Sequence, residues 1–263
     1  MNIMKIKLIS FIIIAVAGNL IAGREFKTMQ AASKLPQPAV ANGFALVELF
    51  TSEGCSSCPA AEETVARLAA KNTAGVLILC YHVDYWDKLG WKDQFSDAAY
   101  TQKQRAYASA FNVNSVYTPQ AIINGAIELV GSDEDKLITA VNKHLMNAPT
   151  QNISLTVQRN DHAVSIDYSI AGDRKDPQIV NFALVQPEAV VPVKRGENSG
   201  RTLHRVNIVR ALKTVEVAAN GTITLDIPAD VKALPLQVVA YTQHKKSLQV
   251  TGCLLYTSDA ADE

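Results

Sequence analysis

The chain carries no excess of charge of either sign: 25 Lys and Arg stand against 25 Asp and Glu. Affinity for a phosphate backbone needs clustered positive charge, so nothing in the composition supports nucleic-acid binding. The sequence also lacks an apolar run of the about 20 residues that a transmembrane helix requires. Its longest run, Leu8 to Val16, ends near Ala17-Gly18, and polar Asn19 sits where it would have to continue. Cysteine is scarce, with four in 263 residues, and Cys55 and Cys58 form the only CxxC. A zinc site built on that pair would need two more ligands, and there is no second pair. No Met or His cluster accompanies it either, which weighs against copper handling. Internal repeats and low-complexity tracts are absent.

What is present begins with an export signal. Lys5 and Lys7 precede the apolar run, and small residues at Ala22 and Gly23 offer a cleavage site, so residues 1–23 read as a secretory signal peptide. No Cys follows the run, which argues against a lipoprotein. Residues 24–42 are small and polar with two prolines and read as a flexible lead-in. The protein is expected to be periplasmic or secreted, with no membrane association once the signal is removed. Residues 253–263, CLLYTSDAADE, resemble the translation of a sequencing-library adapter, which would put the native C-terminus elsewhere and take Cys253 out of the cysteine arithmetic. Three cysteines remain. Cys55 and Cys58 are close enough that an oxidising compartment would favour a disulfide. Cys80, inside Val76-Leu77-Ile78-Leu79-Cys80-Tyr81, reads as a buried small hydrophobe.

About half of the chain is apolar, 48%, enough for a sizeable core. Phe44 to Phe50 is a strand with Glu48 its only polar interruption. The turn-rich Thr51-Ser52-Glu53-Gly54 leads to Cys55-Ser56-Ser57-Cys58, and Pro59 suits the first turn of a helix running to about Ala70. Val76 to Asp84 is a second strand, and Phe95 to Phe111 is helical. Asn124-Gly125 between short apolar runs signals a two-residue hairpin. Ser132 is placed to cap a last helix, with Asp135 as a weak capping-box partner. Beyond residues 147–150 the period changes to two. Ile153 to Val157, Val164 to Tyr168, Ile179 to Val185, Val206 to Val217, Thr222 to Ile227 and Leu236 to Tyr241 read as strands, with Asn220-Gly221 as another hairpin turn. The expected fold is α/β: a thioredoxin-like domain over 43–147 with a mixed sheet, then a β-rich, sandwich-like domain over 148–252.

Four groups of residues could carry chemistry. A helix start supplies partial positive charge and free N–H groups that favour a thiolate on Cys55, and Cys58 can resolve a mixed disulfide. Thr118-Pro119, just before the hairpin, occupies the place where the thioredoxin order sets a proline beside the CxxC, usually cis. His82 and Asp84 share one strand face at the carboxyl end of a parallel strand, where open α/β sheets place their sites. They lie beside Trp86 and Trp91, the two tryptophans of the chain. One reading makes His82 or Asp84 a proton carrier or metal ligand; the other makes the loop a packed insertion whose Asp residues cap the next helix. Lys194 to Arg205 is basic and glycine-rich: either a seat for an anion or a partner's carboxylates, or a solvated loop.

The segments LFTSEGCSSCPAAE, YHVDYWDKLGWKDQF, VYTPQAIING and GENSGRTLHRVNIVR together resemble an uncharacterised family of exported bacterial proteins, mainly from Gram-negative organisms, classed as thioredoxin-like and without an assigned function. The resemblance spans roughly Gly43 to Gly252 and implies a thioredoxin fold with an appended β-rich domain. Gly54 departs from ordinary thioredoxins, which carry Trp before the first cysteine. No Lys or Arg flanks the pair, and nearby Glu53 opposes thiolate formation. The leading expectation is a thiol–disulfide oxidoreductase needing no cofactor and acting on protein thiols or disulfides. Cys55 attacks, Cys58 resolves, and Thr118 and Pro119 align the substrate, supported by His82, Asp84 and Trp86. The alternatives are a binding module with a static Cys55–Cys58 disulfide, and a Cu(I) site formed by Cys55, Cys58 and His82.

Overall fold

The computed structural model describes residues 43–257; the expected signal and lead-in, residues 1–42, and residues 258–263 lie outside the described residues. Strand β1, Ala45–Thr51, is buried along its whole length. Helix α1, Cys58–Ala70, takes Pro59 into its first turn and turns Ala61, Val65 and Leu68 inward. It carries the crossover to β2, Val76–His82, which pairs parallel with β1 from Ala45 opposite Val76 to Thr51 opposite His82. A 3-10 helix, Asp84–Leu89, follows, and then α2, Ala98–Ala110, capped by the Asp97 side chain on the Ala99 N–H. Strands β3, Gln120–Ile123, and β4, Ile127–Val130, form an antiparallel hairpin beside β1. Helix α3, Glu134–Leu145, is capped by Asp133 instead of Ser132, because the chain is still turning there: the Asp133 N–H donates to the Val130 carbonyl.

The hairpin turn has positive φ at both Asn124 (48°) and Gly125 (61°), as the Asn-Gly pair suggests. Asn124 also works through its side chain, accepting from the Leu46 N–H at 2.5 Å and donating to the Phe44 carbonyl at 3.0 Å. Asn124→Ala leaves both buried groups unpaired at a position that strains most side chains. A loss of about 2–4 kcal/mol is expected from the urea midpoint, and Asn124→Gly, which tolerates the φ, isolates the side chain's share.

After α3 come β5 (Gln151–Arg159), β6 (Ala163–Gly172), β7 (Gln178–Pro192), β8 (Thr202–Glu216), β9 (Asn220–Asp226), β10 (Gln237–His244) and β11 (Val250–Thr257). They complete a mixed α/β protein with an eight-stranded mixed sheet, ordered β11-β10-β7-β8-β2-β1-β3-β4, and a three-stranded antiparallel sheet, β5-β6-β9. The large sheet takes strands from both sides of the division expected at residues 147/148. Strand β8 lies parallel against β2 with Ile208 opposite Cys80, covering an edge that would otherwise be unpaired. Residues 253–257, read above as adapter-derived, continue β11 against β10, with Cys253 opposite Tyr241. Asn220-Gly221 is not a hairpin turn: both residues lie in β9, opposite Ser169 and Tyr168 of β6. Because β9 pairs with β6, no tight turn from β8 is needed. Gly221 serves packing instead, since a Cβ there would stand 2.7 Å from the Tyr168 hydroxyl.

Apolar residues fill both faces. Val47 and Leu49 pack against Val65, Leu137 and Val141 of α1 and α3. On the other face Phe50 and Tyr81 meet Tyr100 and Tyr107 of α2. Ile166 and Leu225 of the small sheet pack onto Phe182, Leu184 and Ala240 of the large one. Glu48 is buried yet fully partnered, with Lys103 at 3.2 Å and hydrogen bonds from the Tyr107 and Tyr241 hydroxyls. Trp91 and Phe95, in the segment after β2, pack against Val191, Val193, Leu203 and Ile208, tying that segment to the β7–β8 arm.

Candidate functional site

Strand β1 ends at Thr51, and the chain turns tightly before α1 begins. The Cys55 N–H donates to the Ser52 carbonyl at 3.2 Å, and the Cys58 N–H to the Cys55 carbonyl at 3.2 Å. These bonds set Cys55 just before the helix and Cys58 at its first residue, joined as a disulfide with 5.4 Å between their Cα atoms. Among the described residues no side chain caps the helix at Ser57, and the helix dipole leaves partial positive charge at this end. Thr118-Pro119 is cis, and the Thr118 carbonyl faces Cys55 Sγ at 3.8 Å. Trp86 Nε1 donates to Thr118 Oγ1 at 2.9 Å. Gly54 makes room for that tryptophan: a Cβ on it would stand 3.2 Å from Trp86 Cβ. Cys55, Cys58, Thr118, Pro119 and Trp86 thus meet at one end of the sheet.

His82 and Asp84 do not stay together. Strand β2 stops at His82 and Asp84 opens the 3-10 helix, so strand alternation no longer applies. Asp84 turns to α2, where its Oδ1 accepts from Thr101 Oγ1 at 2.5 Å. His82 is buried with Nδ1 2.7 Å from Asp93 Oδ2 and its ring edge-on to Phe95, and its Nε2 has no partner among the described residues. Among the described residues no three His, Cys, Asp or Glu side chains form a group able to hold a metal ion, so His82 does not join the cysteines as a ligand set.

Asp93 is the hub of a buried acid–base cluster. It accepts from the Glu53 N–H at 2.7 Å as well as facing His82. Glu53 Oε2 accepts from Trp91 Nε1 at 2.6 Å, while Oε1 has no partner among the described residues. Arg205 of β8 pairs with Glu62 of α1, whose Oε1 accepts from Thr51 Oγ1 at 2.5 Å. Burial, and then the Asp93 charge, push the Glu53 carboxyl above its usual range. Burial works the same way on Asp93, but His82 and the hydrogen bonds it accepts outweigh that and hold it below the usual range. Burial lowers Arg205 to about 10 against the pull of Glu53, so it remains a cation at neutral pH. Burial alone pushes the Cys80 thiol up to about 12, in keeping with an inert small hydrophobe.

The glycine-rich segment is neither an open anion seat nor a solvated loop throughout. Residues 193–201 connect β7 to β8 and lie against the cysteine turn. Buried Asn198 donates through Nδ2 to the carbonyls of Glu53 and Cys55, each at 2.8 Å. The Ser56 N–H donates to Glu197 Oε2 at 3.0 Å. Cys55 is 1% and Cys58 0% accessible. Glu62 escapes a reading of the sequence as a site residue, while Asn198 and Arg205 fall inside the glycine-rich segment and Asp93 ends the loop after His82 without their individual partners being legible. Arg205 also shares the strand parity of inward Leu203, a position where a cation demands a buried carboxylate.

The family model described as "Protein of unknown function (DUF1223)" matches residues 46–243. No curated protein matches the chain. Among solved structures, a crystal structure of a protein from Agrobacterium tumefaciens is 30% identical, with 84% of this chain and 96% of that chain covered and a TM-score of 0.62. A domain of the outer membrane lipoprotein Omp28 from Porphyromonas gingivalis aligns over 41% of this chain and 88% of that one, at 9% identity and a TM-score of 0.28, and carries no argument.

Proposed function

The chain belongs to the DUF1223 family of proteins of unknown function, and from that premise we propose that it is an exported thiol–disulfide exchange protein working through Cys55 and Cys58. In this reading residues 43–147 form a thioredoxin-like unit and residues 148–252 an appended β-rich, sandwich-like one. The observation that carries it is the Thr118 carbonyl facing Cys55 Sγ at 3.8 Å across the start of α1. A disulfide at a helix start, with a backbone acceptor turned towards its Cys55 sulfur, has the parts that exchange needs.

The chemistry runs as two displacements. A substrate thiolate attacks Cys55 Sγ, the Cys55–Cys58 bond breaks, and its electron pair leaves on Cys58, which takes up a proton. A second substrate thiolate then attacks the mixed disulfide, closing a substrate disulfide and releasing Cys55 as thiolate. The substrate dithiol loses two electrons and two protons; the cysteine pair gains both electrons and one proton, on Cys58, and the other proton goes to solvent. In reverse, Cys55 attacks a substrate disulfide and Cys58 resolves it. Export, expected from residues 1–23, supplies the oxidising compartment in which such a pair is kept.

The reduction potential of Cys55–Cys58 tests the reading. Exchange predicts a value within the span of known oxidoreductases, about −120 to −270 mV, and stoichiometric oxidation of a dithiol peptide that Cys55→Ser abolishes. One observation favours a second reading, a static structural disulfide: neither cysteine is open to solvent. That reading predicts a potential below about −300 mV and no peptide oxidation.

A further inference from the structure

We infer that residues 193–201 are a latch closed over the Cys55–Cys58 disulfide, with Asn198 as the residue that holds it shut. The loop is a preformed unit. Val193 and Arg201 are joined by an N–H to carbonyl bond at 2.9 Å, Gly200 returns to the Val193 carbonyl at 2.9 Å, and Ser199 reaches the Gly196 carbonyl at 3.1 Å. It can therefore swing away without losing its own shape. Its flanks are fixed by apolar contacts, through Val191, Val193 and Leu203 against Trp91 and Phe95. Its hold on the cysteine turn is polar. The Asn198 amide spends both donors on the carbonyls on either side of Gly54, and Arg201 Nη1 fixes the amide's orientation by donating to Oδ1 at 3.0 Å. A third bond joins the Ser56 N–H to Glu197. Contacts of this kind open locally well before the packed core does.

Glu197 adds an electrostatic lock. Its carboxylate accepts from the Ser56 N–H, just ahead of the helix, and so sets negative charge against the residue next to Cys55, where it opposes a Cys55 thiolate. The closed latch thus shields the disulfide from attack and disfavours the product of attack. Access control concerns the disulfide itself; its role in gating exchange rests on the function proposed above.

Asn198→Asp separates the donors from the shape. The side chain keeps its size, loses both N–H groups and turns a carboxylate towards two carbonyls. Dithiothreitol reduction of the purified protein at fixed pH, followed by thiol alkylation and mass spectrometry, is expected to run at least tenfold faster in N198D than in the wild type. E197Q, which still accepts from Ser56, should keep the latch closed but lower the Cys55 thiol pKa once the pair is reduced. Rates within twofold for N198D and wild type overturn the latch. Should N198D fail to fold, the wild type decides. Reduction that stays flat across urea concentrations below the unfolding transition supports local opening, and reduction that climbs in step with global unfolding overturns it. A reduction potential in the structural range for both proteins, alongside a faster N198D, retires the exchange reading and leaves the latch standing.

Discussion

Asp93→Ala is expected to lower stability by about 3–5 kcal/mol, read as the shift in urea midpoint at constant slope. Asp93 accepts from three buried donors: the Glu53 N–H, His82 Nδ1 and, at 2.8 Å, the Phe95 N–H. Alanine leaves all three without the acceptor they share and takes the carboxylate away from His82, whose Nε2 has no partner among the described residues. Asp93→Asn keeps one acceptor oxygen and falls between. The pH dependence should change as well. The Asp93 pKa is held down in the fold, so its contribution is present above the unfolded value, about 3.9, and is lost as pH falls through the lower folded value. Glu53 has the opposite sign. Its raised pKa favours the protonated form in the fold, so its contribution is complete below the unfolded value, about 4.3, and is lost as pH rises through the folded one. D93A should therefore flatten the acid limb of the stability profile. Glu53→Gln should remove the decline above it, and a Glu53→Gln profile that still falls with rising pH through that window would sink the assignment.

Arg205→Ala is expected to be comparably severe, about 3–5 kcal/mol, enough to unfold a marginal domain. Arg205 enters from β8 and Glu62 from α1, and their side chains are almost wholly shielded from water. Without the guanidinium, Glu62 is a buried carboxylate that has lost its ion-pair partner, and the nearby Glu53 loses one of the charges that oppose it. The severity comes from orphaning the partners and says little about the net worth of the pair. The double variant Arg205→Met, Glu62→Leu, which removes both charges and keeps the volume, should lie within about 1–2 kcal/mol of the wild type. If the double variant is as unstable as Arg205→Ala, the cluster contributes through more than this one pair, and Glu53 becomes the residue to change next.

Both variants act on groups that no stretch of sequence brings together. The order of strands and helices up to α3 was legible because each signal is local. A continuous apolar run made β1, Pro59 opened α1 at the first turn, and Asn124-Gly125 met the positive φ of a two-residue turn. The placement of Cys55 and Cys58 at a helix start, with Thr118-Pro119 ahead of the hairpin, followed from the same local order. Boundaries slipped where backbone bonds decided them, as with Asp133 taking the cap from Ser132 and β2 stopping short of Asp84. Asn220-Gly221 misled because turn chemistry is necessary for a hairpin but does not choose a strand's partner; β6 did.

The sequence by itself determined the cysteine pair's local setting, the two periodicities and the turns, since these depend on neighbours a few bonds apart. Only the tertiary structure decided that β8 covers the edge of β2. Covering that edge carries Arg205 under α1 and swings Asn198 over Cys55, across separations of more than a hundred residues. A sheet edge must be paired and a buried charge must be matched, but which distant segment meets either demand depends on the whole chain's packing.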